Sequence, residues 1–457
     1  MSDTLMTPQD IDADLYRSVE QNGPGFYYVA AGFIAIIVFG LYRYYLQVKY
    51  GLGVTGMNQP VTWGFYIINF VFFIGISHAG TLISAILRLT QAEWRRPITR
   101  MAEVITAIVL VIGGLHPILD LGRPERMFNL LKWGRLQSPL LWDVVSITAY
   151  FAASTVYLYL PLIPDIARLR DRGTRPQWLY KLISWNYQGT PRQQEVLHKA
   201  MNVLMIVVIP VAVSVHTVIS YIFAMTLEAG WHSTIFGPYF VAGAIFSGIA
   251  ALMVVMIVFR RVYHLERYLK QIHFSNLSRL MLVMAIFWFY LTFSEYLTGF
   301  FGSEPAELDV MMFKLTGPYA VPFWLMIFFN FVLPVALLSR ERTRTIPVIL
   351  IVSIGICIGM WIERLIIVVP SLTIPYVDYP YHPYWPSLTE ISLFAAALSA
   401  FCLGFMIFAR FFPLISVWEI EEGRRNAVRE TSERIASYLP DPPPSDDLSE
   451  FSSPGGV

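Results

Sequence analysis

The segment that decides the fold is HPILDLGRPERMFNLLKWGRLQSPLLWD, residues 116–143. A long apolar run ends at its first two residues and a second apolar run begins before its last, so it connects two segments of membrane-spanning length. His116 and Asp120 share one helix face. Asp143 lies about one turn inside the second run, where a free carboxylate is costly. A titratable cluster at one membrane face, backed by apolar helices, is what proton-coupled redox chemistry needs.

The composition is that of a polytopic membrane protein. The chain has 457 residues, of which 56% are hydrophobic and only 14% are charged. The first 24 residues are acidic, so they do not form a cleavable signal peptide. Both cysteines, Cys357 and Cys402, lie in apolar runs, which excludes a CxxC metal site and a CxxCH haem attachment. The sequence contains no nucleotide-binding glycine motif at a strand–helix junction, so nucleotide or nucleic-acid binding is not expected.

Apolar runs long enough to cross about 30 Å of hydrocarbon predict an all-α fold with ten spans. The predicted spans are 25–47, 61–89, 98–119, 139–162, 198–226, 235–262, 277–300, 318–340, 344–369 and 387–411. The predicted domains are an N-terminal segment 1–24, a membrane domain 25–411 and a C-terminal tail 412–457. The tail is rich in Pro, Ser and Asp from residue 438 on, which predicts disorder there.

Loop charge predicts the orientation. Lys and Arg concentrate in the loops that follow spans 2, 4, 6 and 8 and in the C-terminal tail, whereas loops 227–234, 301–317 and 370–386 contain one Lys between them. Both termini are therefore predicted to be cytoplasmic. Residues 120–138 are an outer loop with four Lys or Arg. Internal pairing, in particular a buried pair of Arg123 with Asp120, would hide this charge from the orientation signal.

Polar residues recur at helical spacing in spans 2 to 5, a pattern that small residues in close helix packing also produce. Because the stripes contain Glu, Asp and His, they also suit a polar, proton-conducting bundle interior. The candidate proton path, which faces the cytoplasm, comprises His78, Thr81, Ser84, Arg88, Glu103, Thr106 and, from span 7, Glu295. Helix packing alone remains the alternative role for these residues.

Depth along the spans groups the outer residues. At 1.5 Å per residue, His116, Asp120, Asp143 and His216 are predicted to share one outer level, with His78 deeper. A neutral imidazole at that level suits a general base. Besides a proton-coupled redox protein, two other classes of protein remain possible. One is a haem-b quinol oxidoreductase with axial histidines; the other is a secondary transporter, which would require inverted repeats and broken helices.

The motifs HPILDLGRPERMFNLL, SPLLWD and GWHSTIFGPYFVAGAIFSG (230–248) resemble those of the NrfD/polysulfide-reductase membrane subunits. Within that family the chain is most similar to the quinol-oxidising subunit of alternative complex III. The resemblance covers all ten spans and implies two four-helix bundles, spans 2–5 and 7–10, with quinol oxidised near the outer face of the first.

The resemblance also implies partners and site residues. The partners are an external iron–sulfur subunit, a second NrfD-like subunit and c-type cytochromes in a bacterial inner membrane. The implied substrate is a quinol, and menaquinol is favoured. The implied iron–sulfur clusters and haem c belong to the partners, and no haem, metal or nucleotide is expected in this chain. The family's His and Asp map onto His116 and Asp143, and the predicted quinol-binding set adds Asp120, Arg123, His216 and Tyr221. Where related chains often carry an acidic residue, this chain has Ile222.

The orientation can be tested with Ser138→Cys, in the predicted outer loop. This cysteine is expected to react with a membrane-impermeant maleimide added from outside, because the loop charges favour cytoplasmic termini. The chain with Cys357 and Cys402 alone is the control for background labelling. Labelling only from the cytoplasmic side would show that the orientation is the reverse of the predicted one.

Overall fold

Ten helices are long and apolar enough to span a membrane in the computed structural model, which describes residues 8–20, 23–90, 92–374 and 382–425. The fold class is confirmed, because all regular structure in these ranges is helical. In chain order, spans 1 to 10 are Pro24–Tyr50, Phe65–Leu89, Thr99–Asp120, Pro139–Asp171, Pro191–Ala224, Phe236–Val262, Gln271–Gly302, Ala320–Leu338, Ile346–Thr373 and Leu388–Phe411. The tail from 438 on lies outside the described residues, as do residues 375–381 of the predicted outer loop 370–386.

Local sequence signals set several helix ends. Span 5 begins with a capping box, in which Thr190 accepts from the backbone N–H of Gln193 and the Gln193 side chain accepts from the N–H of Thr190. Span 10 begins with the same device, formed by Ser387 and Glu390. Proline in the first turn of spans 1, 4 and 5 fits there because that position has no intrahelical N–H bond to lose.

Spans 2 to 5 form the first four-helix bundle, as predicted: span 2 packs on span 3, span 3 on span 4, span 4 on span 5 and span 5 on span 2. The second bundle differs from the prediction, because it consists of spans 6 to 9. Span 10 instead packs along span 1 and against span 3. The two bundles meet where spans 2 and 5 contact span 6 and where span 2 contacts span 9.

The two ends of the assembly differ. The upper end carries the connection from span 3 to span 4, in which Met127–Trp133 forms a short helix. The lower end carries the helix Pro8–Glu20, which packs against span 10, and residues 412–425, which follow span 10. Asp12 and Glu421 both contact Arg168 there. The two described chain ends therefore meet at the lower end.

Span 2 contains a π-helical turn, Ala79–Ile83, in the middle of the first bundle. Such turns open the backbone hydrogen-bond ladder and often lie at functional sites. Here the Thr106 hydroxyl accepts from the N–H of Thr81 at 3.1 Å. A Cβ on Gly80 would overlap the Ala102 carbonyl oxygen and the Thr106 hydroxyl. Glycine is therefore required for spans 2 and 3 to approach this closely.

Gly80→Ala is expected to separate spans 2 and 3 and to destabilise the protein by roughly 1–3 kcal/mol, the usual cost of overpacking. The measurement is the unfolding midpoint of the purified protein in detergent. Gly114→Ala, in span 3, is the matched control, because a Cβ there meets nothing within 4 Å. Equal midpoints for the two variants would contradict the close approach at Gly80.

Candidate functional site

His116 lies in the last full turn of span 3, at the upper end of the first bundle, and is 2% exposed. Its Nδ1 lies 2.8 Å from the Ile112 carbonyl oxygen. A carbonyl only accepts hydrogen bonds, so the proton of the neutral ring lies on Nδ1 and Nε2 is left with a lone pair. This Nε2 is buried and has no partner among the described residues. His116 therefore presents a free basic nitrogen.

Asp143 lies near the start of span 4 and is 6% exposed. Its Oδ1, like the Oδ1 of Asp120 at the end of span 3, is buried and has no partner in the described part of the chain. Leaving a buried polar atom unpaired costs about 1–3 kcal/mol. Three such atoms on two neighbouring helices require an explanation, and a binding site for a polar ligand is one. We call His116, Asp120 and Asp143 the upper triad.

Span 1 packs beside the upper triad. The side-chain amide of Gln47 donates to the Leu119 carbonyl at 2.7 Å, and the Tyr66 hydroxyl donates to Gln47 at 2.5 Å. Both residues are fully buried. These bonds fix the end of span 3 next to Asp120. Gln47 and Tyr66 were not among the residues predicted from the sequence, although a glutamine in a run as apolar as 25–47 was a visible signal.

Three predicted members of the quinol site lie elsewhere. Arg123 is exposed, so its predicted buried pair with Asp120 is wrong. Tyr221 is 38% exposed and lines a groove between spans 5, 6 and 7. His216 packs against His78, with ring centroids 3.8 Å apart. Phe73 of span 2 contacts His116, and His78 lies five residues, about 7 Å, further along that span. His216, which packs on His78, therefore lies below the upper triad.

The predicted proton-path residues of spans 2 and 3 do come together. His78 Nε2 lies 2.6 Å from the Ala212 carbonyl oxygen. The Thr106 hydroxyl donates to the Ser77 carbonyl at 2.5 Å. The Thr81 hydroxyl lies 3.2 Å from that of Ser154. The polar side chains of spans 2 to 4 thus continue from the level of His78 toward the lower end.

The lower part of this line ends at a carboxyl group. Ser84 donates to Glu103 at 2.7 Å and lies 3.3 Å from the Tyr157 hydroxyl. Glu103 is 2% exposed. We call the set His78, Thr81, Ser84, Glu103, Thr106, Ser154 and Tyr157 the lower polar line. The hydrogen bonds of the lower polar line are compatible with a helix-packing role as well as with a proton path.

Below Glu103, buried ion pairs fill the end of the bundle. Arg100 donates to Asp165 at 2.5 Å, and both side chains are at most 1% exposed. Arg88 and Arg95 bind the two carboxylate oxygens of Glu419 at 2.9 and 3.0 Å. Nearby arginines, Arg88 foremost, outweigh the effect of burial and lower the pKa of Glu419 to about 2. Glu419 is therefore ionised at any working pH.

Sequence reasoning missed this lower cluster because its partners are far apart in the chain. Arg88 and Glu419 are separated by 331 positions, and Arg100 and Asp165 by 65. The available signal was the charge itself: Arg100 falls inside the predicted span 98–119, and Asp165 follows the predicted span 139–162 directly.

Glu295 does not join the lower polar line. It lies in span 7 of the second bundle, where it accepts from Ser233 at 2.6 Å. Ser233 belongs to the connection between spans 5 and 6 at the upper end. Glu295 is therefore at the opposite end from Glu103, and its predicted place in the same route is wrong.

One group of possible metal ligands occurs in the described part of the chain. His232, Glu304 and Glu307 present donor atoms within 4.8 Å of one another at the surface of the second bundle. His232 Nε2 already lies 3.1 Å from a Glu307 oxygen, so the two side chains satisfy each other. That this chain carries no metal or haem stays a prediction.

Comparison with known proteins decides the family. The family model described as "Polysulphide reductase, NrfD" matches residues 53–375, which contain spans 2 to 9 entirely and with them the upper triad and the lower polar line. This chain belongs to the NrfD family. It is accordingly a multi-pass integral membrane protein, with ten helices able to span the bilayer.

Three curated proteins illustrate the breadth of the NrfD relatives. A putative membrane subunit of dimethyl sulfoxide reductase from Halobacterium salinarum is 30% identical over 49% of this chain, which spans about half (49%) of that relative's length. A selenate reductase subunit of Mesobacillus selenatarsenatis is 24% identical over 85% of this chain and 94% of its own. An Hdr-like menaquinol oxidoreductase integral membrane subunit of Archaeoglobus fulgidus is 20% identical over 89% and 98%.

Proposed function

We propose that this chain is the quinol-oxidising membrane subunit of a multi-subunit respiratory or photosynthetic oxidoreductase, with its site at the upper triad. The observation that carries the proposal is the pair of buried, unpartnered atoms, His116 Nε2 and Asp143 Oδ1, on neighbouring helices. Family membership supports a membrane subunit of this kind. The similarity to the Archaeoglobus relative, a menaquinol oxidoreductase subunit, supports quinol as the substrate class.

Oxidation of a quinol releases two electrons and two protons, and the upper triad offers acceptors for the protons. His116 Nε2 has the lone pair needed to take the proton of one hydroxyl group. Asp143 Oδ1, which is also without a partner among the described residues, is the proposed acceptor of the second proton. Asp120 lies one helical turn beyond His116, and its buried Oδ1 is a further candidate acceptor.

We propose that the electrons leave to a partner, in keeping with the prediction that this chain holds no redox centre of its own. The proposed acceptor is an external iron–sulfur subunit at the upper end, followed by c-type cytochromes, in a complex with a second NrfD-like subunit. Alternative complex III is the proposed complex, menaquinol the proposed quinol, and the bacterial inner membrane with cytoplasmic termini the proposed location. Under that orientation the upper triad faces the outside.

The lower polar line is proposed as a proton route between the lower end and the middle of the bundle. It contains groups that exchange protons or relay them through hydroxyls, Glu103 above all. Arg88 lies beyond Glu103 and is bound to Glu419. The route is a proposal separate from quinol oxidation and requires a separate measurement.

Haem-b chemistry at His78 and His216 has no support in the geometry. Two axial imidazoles lie on opposite faces of a porphyrin, whereas these rings are in direct contact at 3.8 Å between centroids. His78 also uses both nitrogens toward backbone carbonyls, at 2.6 and 3.3 Å. No contact among the described residues favours a secondary transporter over the quinol site.

Replacing His116 by Ala is expected to lower quinol-dependent reduction of an external acceptor by at least about tenfold, because general-base catalysis contributes about 10²–10⁴-fold. Asp143→Asn is expected to act in the same direction. The double variant is expected to be little worse than the worse single one, because groups that act as a unit are non-additive. Electron transfer within directly reduced partner subunits should persist.

His232→Ala is the matched control, because His232 is an exposed histidine at the same end of the assembly. Size-exclusion chromatography of each complex separates lost chemistry from lost assembly. A well-assembled His116→Ala complex that oxidises quinol at nearly the normal rate would rule out His116 as the base. Failure to assemble would support a purely structural role.

Glu103→Gln tests the proton route. The amide keeps the shape and the bond from Ser84 but cannot release a proton, so proton translocation by the complex in proteoliposomes is expected to fall. Quinol oxidation in detergent is expected to stay near normal, because Glu103 is far from the upper triad. Equal loss of both activities, or of neither, would favour the packing role.

A further inference from the structure

Residues 413–425 follow span 10, turn beneath the first bundle and place one carboxylate among its buried charges. Leu414, Ile415 and Val417 are at most 3% exposed and anchor this segment. The Arg100 side chain donates to the Ser416 hydroxyl at 3.1 Å. Glu419, 1% exposed, then lies directly below span 2. The segment thus forms part of the bundle's lower end, although span 10 itself belongs to neither bundle.

Glu419 binds a cation that would otherwise face Glu103. Ser84 and Arg88 lie four residues apart in span 2 and therefore share one helix face. Ser84 donates to Glu103 at 2.7 Å, whereas Arg88 donates to Glu419 at 2.9 Å. Glu103 enters no ion pair that the structure describes. The two carboxyl groups thus lie on either side of one guanidinium, and Glu419 holds it.

The other charges around Glu103 are already engaged. Arg100, which is on the same helix, pairs with Asp165 at 2.5 Å. Arg95 shares Glu419 with Arg88. Tyr157, from span 4, contributes a neutral hydroxyl, 3.3 Å from Ser84. Loss of the Glu419 charge would leave Arg88 without its carboxylate. Glu103 of span 3, which binds Ser84 on the same face of span 2 as Arg88, would then be the nearest replacement.

We propose that Glu419 is a positioning residue that holds Arg88 away from Glu103, so that Glu103 remains without an ionic partner and can carry a proton. The inference rests on the proposed proton route through Glu103. An arginine at hydrogen-bond distance favours the ionised form of a carboxyl group by roughly tenfold or more. A Glu103 paired with Arg88 would therefore stay charged and would block proton passage.

The test uses the intact complex that contains this chain, with Glu419→Gln as the main variant. Glu422→Gln is the matched control: it removes a carboxylate from the same segment, but one that pairs with Arg96 and is 37% exposed. The decisive variant is Glu419→Gln combined with Arg88→Gln, which removes the freed cation beside Glu103, whereas Arg95 loses Glu419 in both the single and the double variant. Glu419→Asp checks whether a shorter carboxylate preserves function.

Three quantities are measured for each variant: quinol oxidation in detergent, proton uptake per electron in proteoliposomes, and the infrared band of the protonated Glu103 carboxyl. The band is identified by its loss in Glu103→Gln. For Glu419→Gln, proton uptake and the Glu103 band are expected to fall at least about tenfold. Quinol oxidation should stay near normal, because Glu419 lies at the opposite end of the first bundle from the upper triad. Glu422→Gln should resemble the parent protein.

Recovery of the band and of proton uptake in the double variant would support the positioning role. A purely structural anchor predicts no recovery, because removal of Arg88 weakens the lower cluster further. Unchanged band and uptake in Glu419→Gln, or equal losses in the single and double variants, would overturn the inference. If Glu103→Gln itself leaves proton uptake normal, the route is wrong, and the band alone then reports whether Glu419 positions Arg88.

Discussion

A charged or polar side chain inside a membrane bundle must meet an opposite charge, a hydrogen-bond partner or water, and this constraint orders the first bundle from end to end. At the lower end the constraint is met by direct pairing. Arg100 with Asp165, and Glu419 with Arg88 and Arg95, leave the buried charges compensated. At the upper end, His116 and Asp143 retain atoms without partners among the described residues. The first bundle therefore pairs its buried charges at one end and has unpartnered polar atoms at the other.

The pairing of buried charges explains why segments that are distant in the chain meet at the lower end. Removing one partner of a buried ion pair costs about 3–5 kcal/mol, so each arginine there needs its carboxylate in place. The carboxylates come from span 4 and from the segment after span 10. These contacts join span 2 to the segment after span 10 and span 3 to span 4. Beside the upper triad, Gln47 binds the end of span 3, and Tyr66 binds Gln47.

The sequence predicted what periodicity and hydropathy encode. Ten apolar runs became ten helices in the described residues, and Thr81, Ser84 and Glu103 became buried side chains, with Ser84 bound to Glu103 and Thr81 to Ser154. Partner choice is not encoded in that way. The family resemblance implied that span 10 completes the second bundle, whereas it packs on span 1.

Depth estimates failed for a related reason. Counting residues from a span boundary placed His216 beside His116, but the packing of span 5 on span 2 brings its ring onto His78 instead. For Glu295 the error was one of direction, since span 7 runs from the lower to the upper end and the residue lies near its top. A helical stripe shows which residues face inward; it does not show which helix they face.

The second bundle shows that burial in a membrane does not by itself produce unpartnered titratable groups. There Glu363 binds Arg364 at 2.9 Å and accepts from Trp288 at 2.7 Å. Lys314, in the connecting helix Pro305–Leu315, has its pKa lowered to about 8 by burial, and the nearby charge of Glu295 opposes that shift. Glu363 and Arg364 are thus paired in the second bundle, whereas His116 Nε2 and Asp143 Oδ1 have no partner among the described residues. The proposed quinol, which must give up protons at that point, would supply partners for both atoms.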